Sequence, residues 1–537
     1  MPEMGVIDQS QAAAPRRPDR PHRASEDSVA VAETKSSIIE ARRDDQSSTR
    51  GDVRTTRRIL AQAWLAILSF DIEQGYSLIH AAESSPGGVR PPGSHLLRDE
   101  IVALRAAILA LRDDSFAALL AVRTILDARP SGPVSKIAAA IARLGYWKLG
   151  DLDRVLALGR SSASVRRSAR PISLTILDLT LDAAIEANLL RYPAATRLAT
   201  DALVLAENRF GRGAPLTALP ASVMAQILYD GGYLAEAENV LNLRLEAISK
   251  TPYIECALRA FPTLARIASH RGQVEFAGLI LQEAEALGER RGWVRLVAAS
   301  LAERLHVLMR HGRLSEARLC LDRLERLAAR DQPDAFVRSE VRRHADLARC
   351  RFMLADGLHQ SAPPLRRLHA EALARRDLSQ AFRLNLELAE ALEHDGRRHE
   401  ALPIVMEALR TAGGAGLYQA FRDSGPGVDR LLRRLCDEPT AVSEPSLAYL
   451  AGLQRRAPLQ ERPRPPVATG LRGGSNISDR ERAILALIAK GYSNKRIAQS
   501  LTISPETVKS HAKHIFAKLA AGNRAEAVSK AEGLGLI

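Results

Sequence analysis

The sequence predicts an all-α fold, a long array of helical hairpins stacked into a superhelix and followed by a small four-helix domain. Three observations carry that prediction. Apolar residues from Arg57 to about Leu450 recur three and four positions apart with almost no β-branched runs, as amphipathic helices require. Breaks in this pattern return about every 40 residues, and a fixed period in that range marks a helical solenoid. Aromatic residues are only 4% of a chain that is 46% hydrophobic. Burial must then rest on Leu, Ala, Val and Ile, which favours helices packed on helices over aromatic-rich sheets.

Residues 1–55 are rich in Arg, Asp, Ser and Pro with little periodic apolar content, and are expected to form a disordered tail. Their arginines stand among acidic neighbours, so a solvated tail is the expectation and not a nucleic-acid arm.

Residues 56–450 form the repeat region. Turns are predicted at Arg112, Gly150, Arg191, Gly232, Gly272, Gly312, Gly357 and Gly396, at successive spacings of 38, 41, 41, 40, 40, 45 and 39. Five residues after the last five glycines stand Ala237, Ala277, Ala317, Ala362 and Ala401, and seven before them stand Ala225, Ala265, Leu305, Cys350 and Ala389. Small side chains there let the two helices of a hairpin approach where they cross. Glycine at the turn takes the left-handed conformation that ends the first helix. The first three turns fit less well; after Gly150, Leu156 stands where Ala is wanted. Trp64, Trp147 and Trp293 are expected in the core. The turn segment "HDGRRHEA" at 394–401 is read as solvated. Around Gly413–Gly414 the rhythm breaks, and the segment that follows is expected to cap the array. Residues 451–475 combine Pro, Gly and Arg without periodicity and read as a flexible linker.

Residues 476–537 hold ten Lys and Arg against five Asp and Glu, a dense share of the chain's +14. Ser478 and Glu481 make a capping box for a first helix, stopped by Gly491. Ser493 caps a short second helix, "NKRIAQSL". After a short turn, Ser504 caps a third with Pro505 in its first position, where the missing N–H costs nothing. Asn523 starts a fourth. The second and third helices with their turn have helix-turn-helix spacing, with a core span from Lys495 to His514. On the third helix Val508, Ala512, Ile515, Phe516 and Leu519 share an apolar face. Lys509, Ser510 and Lys513 point away from it, near its N-terminal half. Lysine donates to guanine O6 and N7, so these three are the candidate base-reading residues. Ser493, Asn494, Lys495, Ser504, Thr507, His514 and Lys518 are candidates for holding phosphates and setting register.

The stretch "ISDRERAILALIAKGYSNKRIAQSLTISPETVKSHAKHIFAKL…NRAEAV" resembles the LuxR-type DNA-binding domain. The resemblance lies in Glu481, Gly491, Ser493, Asn494, Lys495, Ile497, Ala498, Thr507, Val508, Lys509, His511, Lys518, Leu519, Arg524 and Ala527. It implies a third helix that reads double-stranded DNA and a fourth that pairs two copies on it. The family's Gly after the Lys-Leu pair is replaced by Ala520, with Gly522 two residues later. The repeat spacing resembles the tetratricopeptide repeat with lengthened helices. Such repeats ahead of a LuxR-type domain resemble the maltose-regulator (MalT) type of bacterial activator. In that type an NTP-binding domain precedes repeats that bind an inducer. The dipeptide Gly-Lys occurs nowhere in this sequence, so it contains no Walker A loop.

The combined expectation is a cytoplasmic bacterial transcriptional regulator, an activator that meets RNA polymerase. It would act as a homodimer on DNA, with repeats that sense a small molecule or a protein partner. The alternative is an interaction scaffold whose C-terminal domain only localises or docks it. Cys256, Cys320, Cys350 and Cys436 stand far apart, against a zinc site or disulfide framework. No apolar run approaches the ~20 residues that span a bilayer. No catalytic constellation, cofactor motif or metal-ligand set is read; His511 and His514 share a helix face without a third ligand.

Overall fold

A computed structural model describes residues 50–455, apart from 69–70, 86–94, 129–132, 165–171, 333 and 438–443. It also describes residues 479–533, apart from 490, 502–503, 519–520 and 522. The expected tail lies outside the described residues up to position 49, and the expected linker lies outside them from position 456. No strand occurs among the described residues, and the all-α prediction holds.

The described residues contain nine consecutive hairpins. Helix α1 (Arg50–Leu68) pairs with α2 (Ile72–Ser84), α3 (His95–Leu111) with α4 (Ser115–Asp127), and α5 (Pro133–Leu149) with α6 (Leu152–Ser164). Next, α7 (Ile172–Asn188) pairs with α8 (Tyr192–Phe210), and α9 (Ala218–Asp230) with α10 (Leu234–Asn242), which continues into the short α11 (Leu245–Lys250). Then α12 (Ile254–His270) pairs with α13 (Val274–Arg291), α14 (Val294–Arg310) with α15 (Leu314–Ala329), α16 (Ala335–Ala355) with α17 (Ala362–Ala374), and α18 (Leu378–His394) with α19 (Arg398–Ala415). The array closes with α20 (Gln419–Asp423), α21 (Pro426–Asp437) and α22 (Glu444–Arg455). Helix α1 thus begins inside the expected tail, and α22 runs into the expected linker.

One turn geometry recurs. Gly150, Gly232, Gly272, Gly312, Gly357 and Gly396 all have φ between 73° and 83°. The next residue's N–H then reaches back to a carbonyl five residues earlier: Tyr233 to Leu228 at 2.8 Å, Gln273 to Ala268 at 2.9 Å, Arg313 to Leu308 at 2.9 Å. This ties off the otherwise unpaired carbonyls at the helix end. At the two turns without glycine the prediction is one residue off. The left-handed residues are Asp113 (φ 70°) and Leu190 (φ 62°), not Arg112 and Arg191. A further left-handed joint, Arg376 (φ 54°) between α17 and α18, carried no glycine to announce it.

With the turns placed this way, the small-residue rule extends to earlier hairpins. The fourth residue of the second helix is Ala118, Ala195, Ala237, Ala277, Ala317 or Ala401, each at most 1% exposed. After Gly150 that position is Val155, fully buried, and not Leu156, which is 37% exposed. In α2 it is Gly75, where an added Cβ would stand 2.9 Å from Ile67 Cγ1. The pattern slips at Gly357: a longer loop makes Ala362 the first residue of α17, and Leu365 takes the crossing position. Nor does the array stop at Gly413–Gly414. Helix α19 runs through both and ends at left-handed Gly416. Helix α21 is then held by the neighbouring hairpin, because the Glu390 carboxylate accepts the backbone N–H of Gly427 (2.9 Å) and Val428 (2.7 Å).

The array wraps until hairpins far apart in sequence meet. Arg295 Nη1 donates to Asp113 Oδ1 at 2.7 Å across 182 residues, Arg376 pairs with Asp153 at 3.0 Å, and Tyr418 N donates to Asp230 O at 3.0 Å. Trp64 and Trp293 are core residues, 5% and 4% exposed. Trp147 is partly buried against the core and also lines the interior cavity, with Arg259 over its ring.

Candidate DNA-binding domain and repeat cavity

The C-terminal domain consists of α23 (Asp479–Ala489), α24 (Asn494–Leu501), α25 (Pro505–Lys518) and α26 (Arg524–Gly533). Its core is Ile484, Leu485, Ile488, Ile497, Ala498, Val508, Ala512, Ile515, Ala527 and Ala531, drawn from all four helices. Gly491 (φ 77°) ends α23. Ser493 accepts from Arg496 N at 3.4 Å and Ser504 from Thr507 N at 3.1 Å, so both are N-caps of the helices that follow them. Ser504 and Thr507 also share a hydroxyl hydrogen bond at 2.9 Å.

Burying Val508, Ala512 and Ile515 leaves the opposite face of α25 outward, and Lys509 and Lys513 on that face are exposed. Lys495 and Ser493 are exposed at the start of α24. Asn494 is half-buried, and its amide oxygen accepts from Arg524 Nη1 at 3.1 Å. Arg524 also donates to Tyr492 O, so α26 is tied to the start of α24. That leaves the Asn494 NH2 group for any phosphate contact. The side chains of Ser510, His514 and Lys518 lie outside the described residues. Arg496 was not among the predicted residues, yet it is exposed beside Lys495 and packs 4.3 Å from the Tyr492 ring centroid.

The repeats enclose a cavity of about 1100 Å³. Its wall carries ion pairs between first helices of the hairpins, two of them joining successive hairpins and the third joining the fifth to the ninth. Arg266 Nε donates to Glu303 at 2.8 Å, Arg351 pairs with Glu387, and Arg383 pairs with Asp230. At the far end Lys148, Arg259 and Arg295 converge on Glu255 at 3.6, 3.0 and 3.0 Å. Burial alone would raise the Glu255 carboxyl, but these three cations outweigh it and hold it well below the usual carboxylate range. Burial likewise opposes ionisation of Glu303, and Arg266 overrides it, leaving the carboxyl at about 2. His306 and His344 also face the cavity. Burial lowers both, and Arg351 beside His306 and Arg295 with Arg351 beside His344 lower them further, to about 3 and about 4. The cavity is therefore polar, with ionised pairs and neutral imidazoles, and has the size of a small-molecule site. Sequence periodicity could not reveal it, because most of its charged pairs join different helices, from 36 to 153 residues apart, that meet only when the superhelix forms.

Residues 99–438 match the family model described as MalT-like TPR region, and residues 475–531 match that of the bacterial regulatory proteins, luxR family. The HTH-type transcriptional regulator MalT of Serratia proteamaculans (strain 568) is 24% identical over 512 residues, covering 90% of this chain and 54% of that protein. MalT of Yersinia pestis (strain Pestoides F) is 24% identical over 515 residues, with the same coverage. The chain thus spans about half the length of the curated relatives it matches. A Rap protein solved in complex with Competence and Sporulation Factor shares the fold, at TM-score 0.54 and 13% identity, covering 68% of this chain and 99% of that one. The repeat array, most of the chain, and the helix-turn-helix behind it lead to one conclusion: this chain belongs to the MalT-like TPR family and carries a luxR-family DNA-binding domain.

Proposed function

We propose that this protein is a sequence-specific DNA-binding transcriptional regulator, acting as an activator, whose repeats sense a polar small molecule or a protein partner. The observation that carries the reading is the pairing of two features in one chain. One is a helix-turn-helix domain with Lys509 and Lys513 exposed on the third helix. The other is a superhelix enclosing a charged cavity.

Lys509, Ser510 and Lys513 would read base edges in the major groove. Ser493, Asn494, Lys495, Thr507, His514 and Lys518, with the N-terminal amides that Ser504 orders, would hold phosphates. Two domains on adjacent half-sites would give affinity that neither has alone, and occupancy of the repeats would set whether both can sit on DNA together. Binding of the intact protein to a target promoter, measured against salt, tests the reading. A DNA reader loses affinity with a log–log slope of about −0.9 per neutralised phosphate. A scaffold whose C-terminal domain docks on another protein gives no such slope.

A further inference from the structure

We propose that His359, His394 and Asp395 form a binding site for a divalent transition-metal ion of the zinc type. The three come from two successive repeats. His394 ends α18 and Asp395 is its C-cap, while His359 arrives from the loop between α16 and α17, 36 residues upstream. Their ligand atoms all lie within 4.8 Å of one another. His359 Nδ1 is 3.0 Å from Asp395 Oδ1, His394 Nδ1 is 3.5 Å from the same oxygen, and the ring centroids are 4.9 Å apart.

Zinc holds imidazole nitrogen and carboxylate oxygen at about 2.0–2.1 Å, so ligands on a tetrahedral ion stand roughly 3.3 Å from each other. The two nitrogen–oxygen separations bracket that edge. An ordinary ion pair accounts for the His359–Asp395 contact but not for His394. At 3.5 Å its Nδ1 is too far for a good hydrogen bond, and this atom is buried without a hydrogen-bond partner. An ion among the three would satisfy it. Two imidazoles and one carboxylate suit zinc and its first-row neighbours better than magnesium or calcium, which prefer all-oxygen sets.

The set supplies three ligands and leaves one position open. His394 also lines the repeat cavity, so an ion here would stand at the cavity rim, where a ligand inside could complete its coordination. The proposal does not depend on DNA binding. Zn²⁺ titrated calorimetrically into the chelator-treated full chain tests it, with His359→Ala, His394→Ala and His399→Ala in parallel. His359 is 69% exposed, so its replacement leaves the core untouched. The expected result is one ion per chain, bound at least tenfold more weakly by His359→Ala and His394→Ala and unchanged by His399→Ala. Zn²⁺ should also raise the melting temperature of the parent and not of His359→Ala. Equal binding by the parent and His359→Ala, or no binding by the parent, would overturn the proposal.

Discussion

His306 and His344 show how the cavity conditions the residues around it. Buried neutral beside arginines, they hold folded-state values of about 3 and about 4, against an ordinary value of about 6.5. As pH falls below that value the unfolded chain takes up the protons first, so stability declines across the interval down to about 4. Glu303 adds a loss further down: its contribution is complete above the ordinary carboxylate range and disappears as pH falls toward about 2. The melting temperature should therefore drop steadily between pH 6.5 and 4, and His306→Gln/His344→Gln should flatten that slope. An unchanged slope in the double variant would assign the acid sensitivity to other groups. On the DNA side, each lysine that donates to a base contributes about 1–3 kcal/mol of discrimination. Single replacement of Lys509 or Lys513 should accordingly relax a footprint that the double replacement removes.

At the scale of the hairpin, the turn and the crossing carry separable costs. Gly272 sits at φ 74° with nothing within 4 Å of where a Cβ would stand, so Gly272→Ala tests backbone conformation alone and should cost about 1 kcal/mol. Ala317 lies fully buried at a crossing, and Ala317→Leu should destabilise by about 1–3 kcal/mol through overpacking. Urea denaturation of the repeat array measures both. The same two features decided what the sequence could show. Glycine announces a left-handed turn because other residues adopt one at a cost, and six of the predicted turns fell on the residue that takes it. Asp113, Leu190 and Arg376 take the same conformation under tertiary constraint, with no compositional mark. The crossing alanines were legible by period until the loop after Gly357 shifted the register at Ala362. In the C-terminal domain the capping residues and apolar face were local signals. The Arg524–Asn494 tie was not, since it joins residues 30 apart through the packing of α26.

For the molecule as a whole, closure of the superhelix depends on a few buried charges. Asp113 receives both Arg295 and Lys148, each at 2.7 Å, where the second and seventh hairpins meet. Asp113→Asn leaves those cations short of a charge, and breaking a buried pair costs about 3–5 kcal/mol. Scattering should show a more open particle, and thermal melting a less stable one; a change in neither would mean that the closure does not rest on this cluster. In the proposed function, a repeat sensor directs a helix-turn-helix to DNA. Genome-wide DNA capture with the intact protein, beside its Lys509→Ala/Lys513→Ala variant, tests this most directly. Discrete sites sharing a two-fold motif are expected, lost in the variant while the repeats stay folded. Sites that persist unchanged in the variant would contradict it.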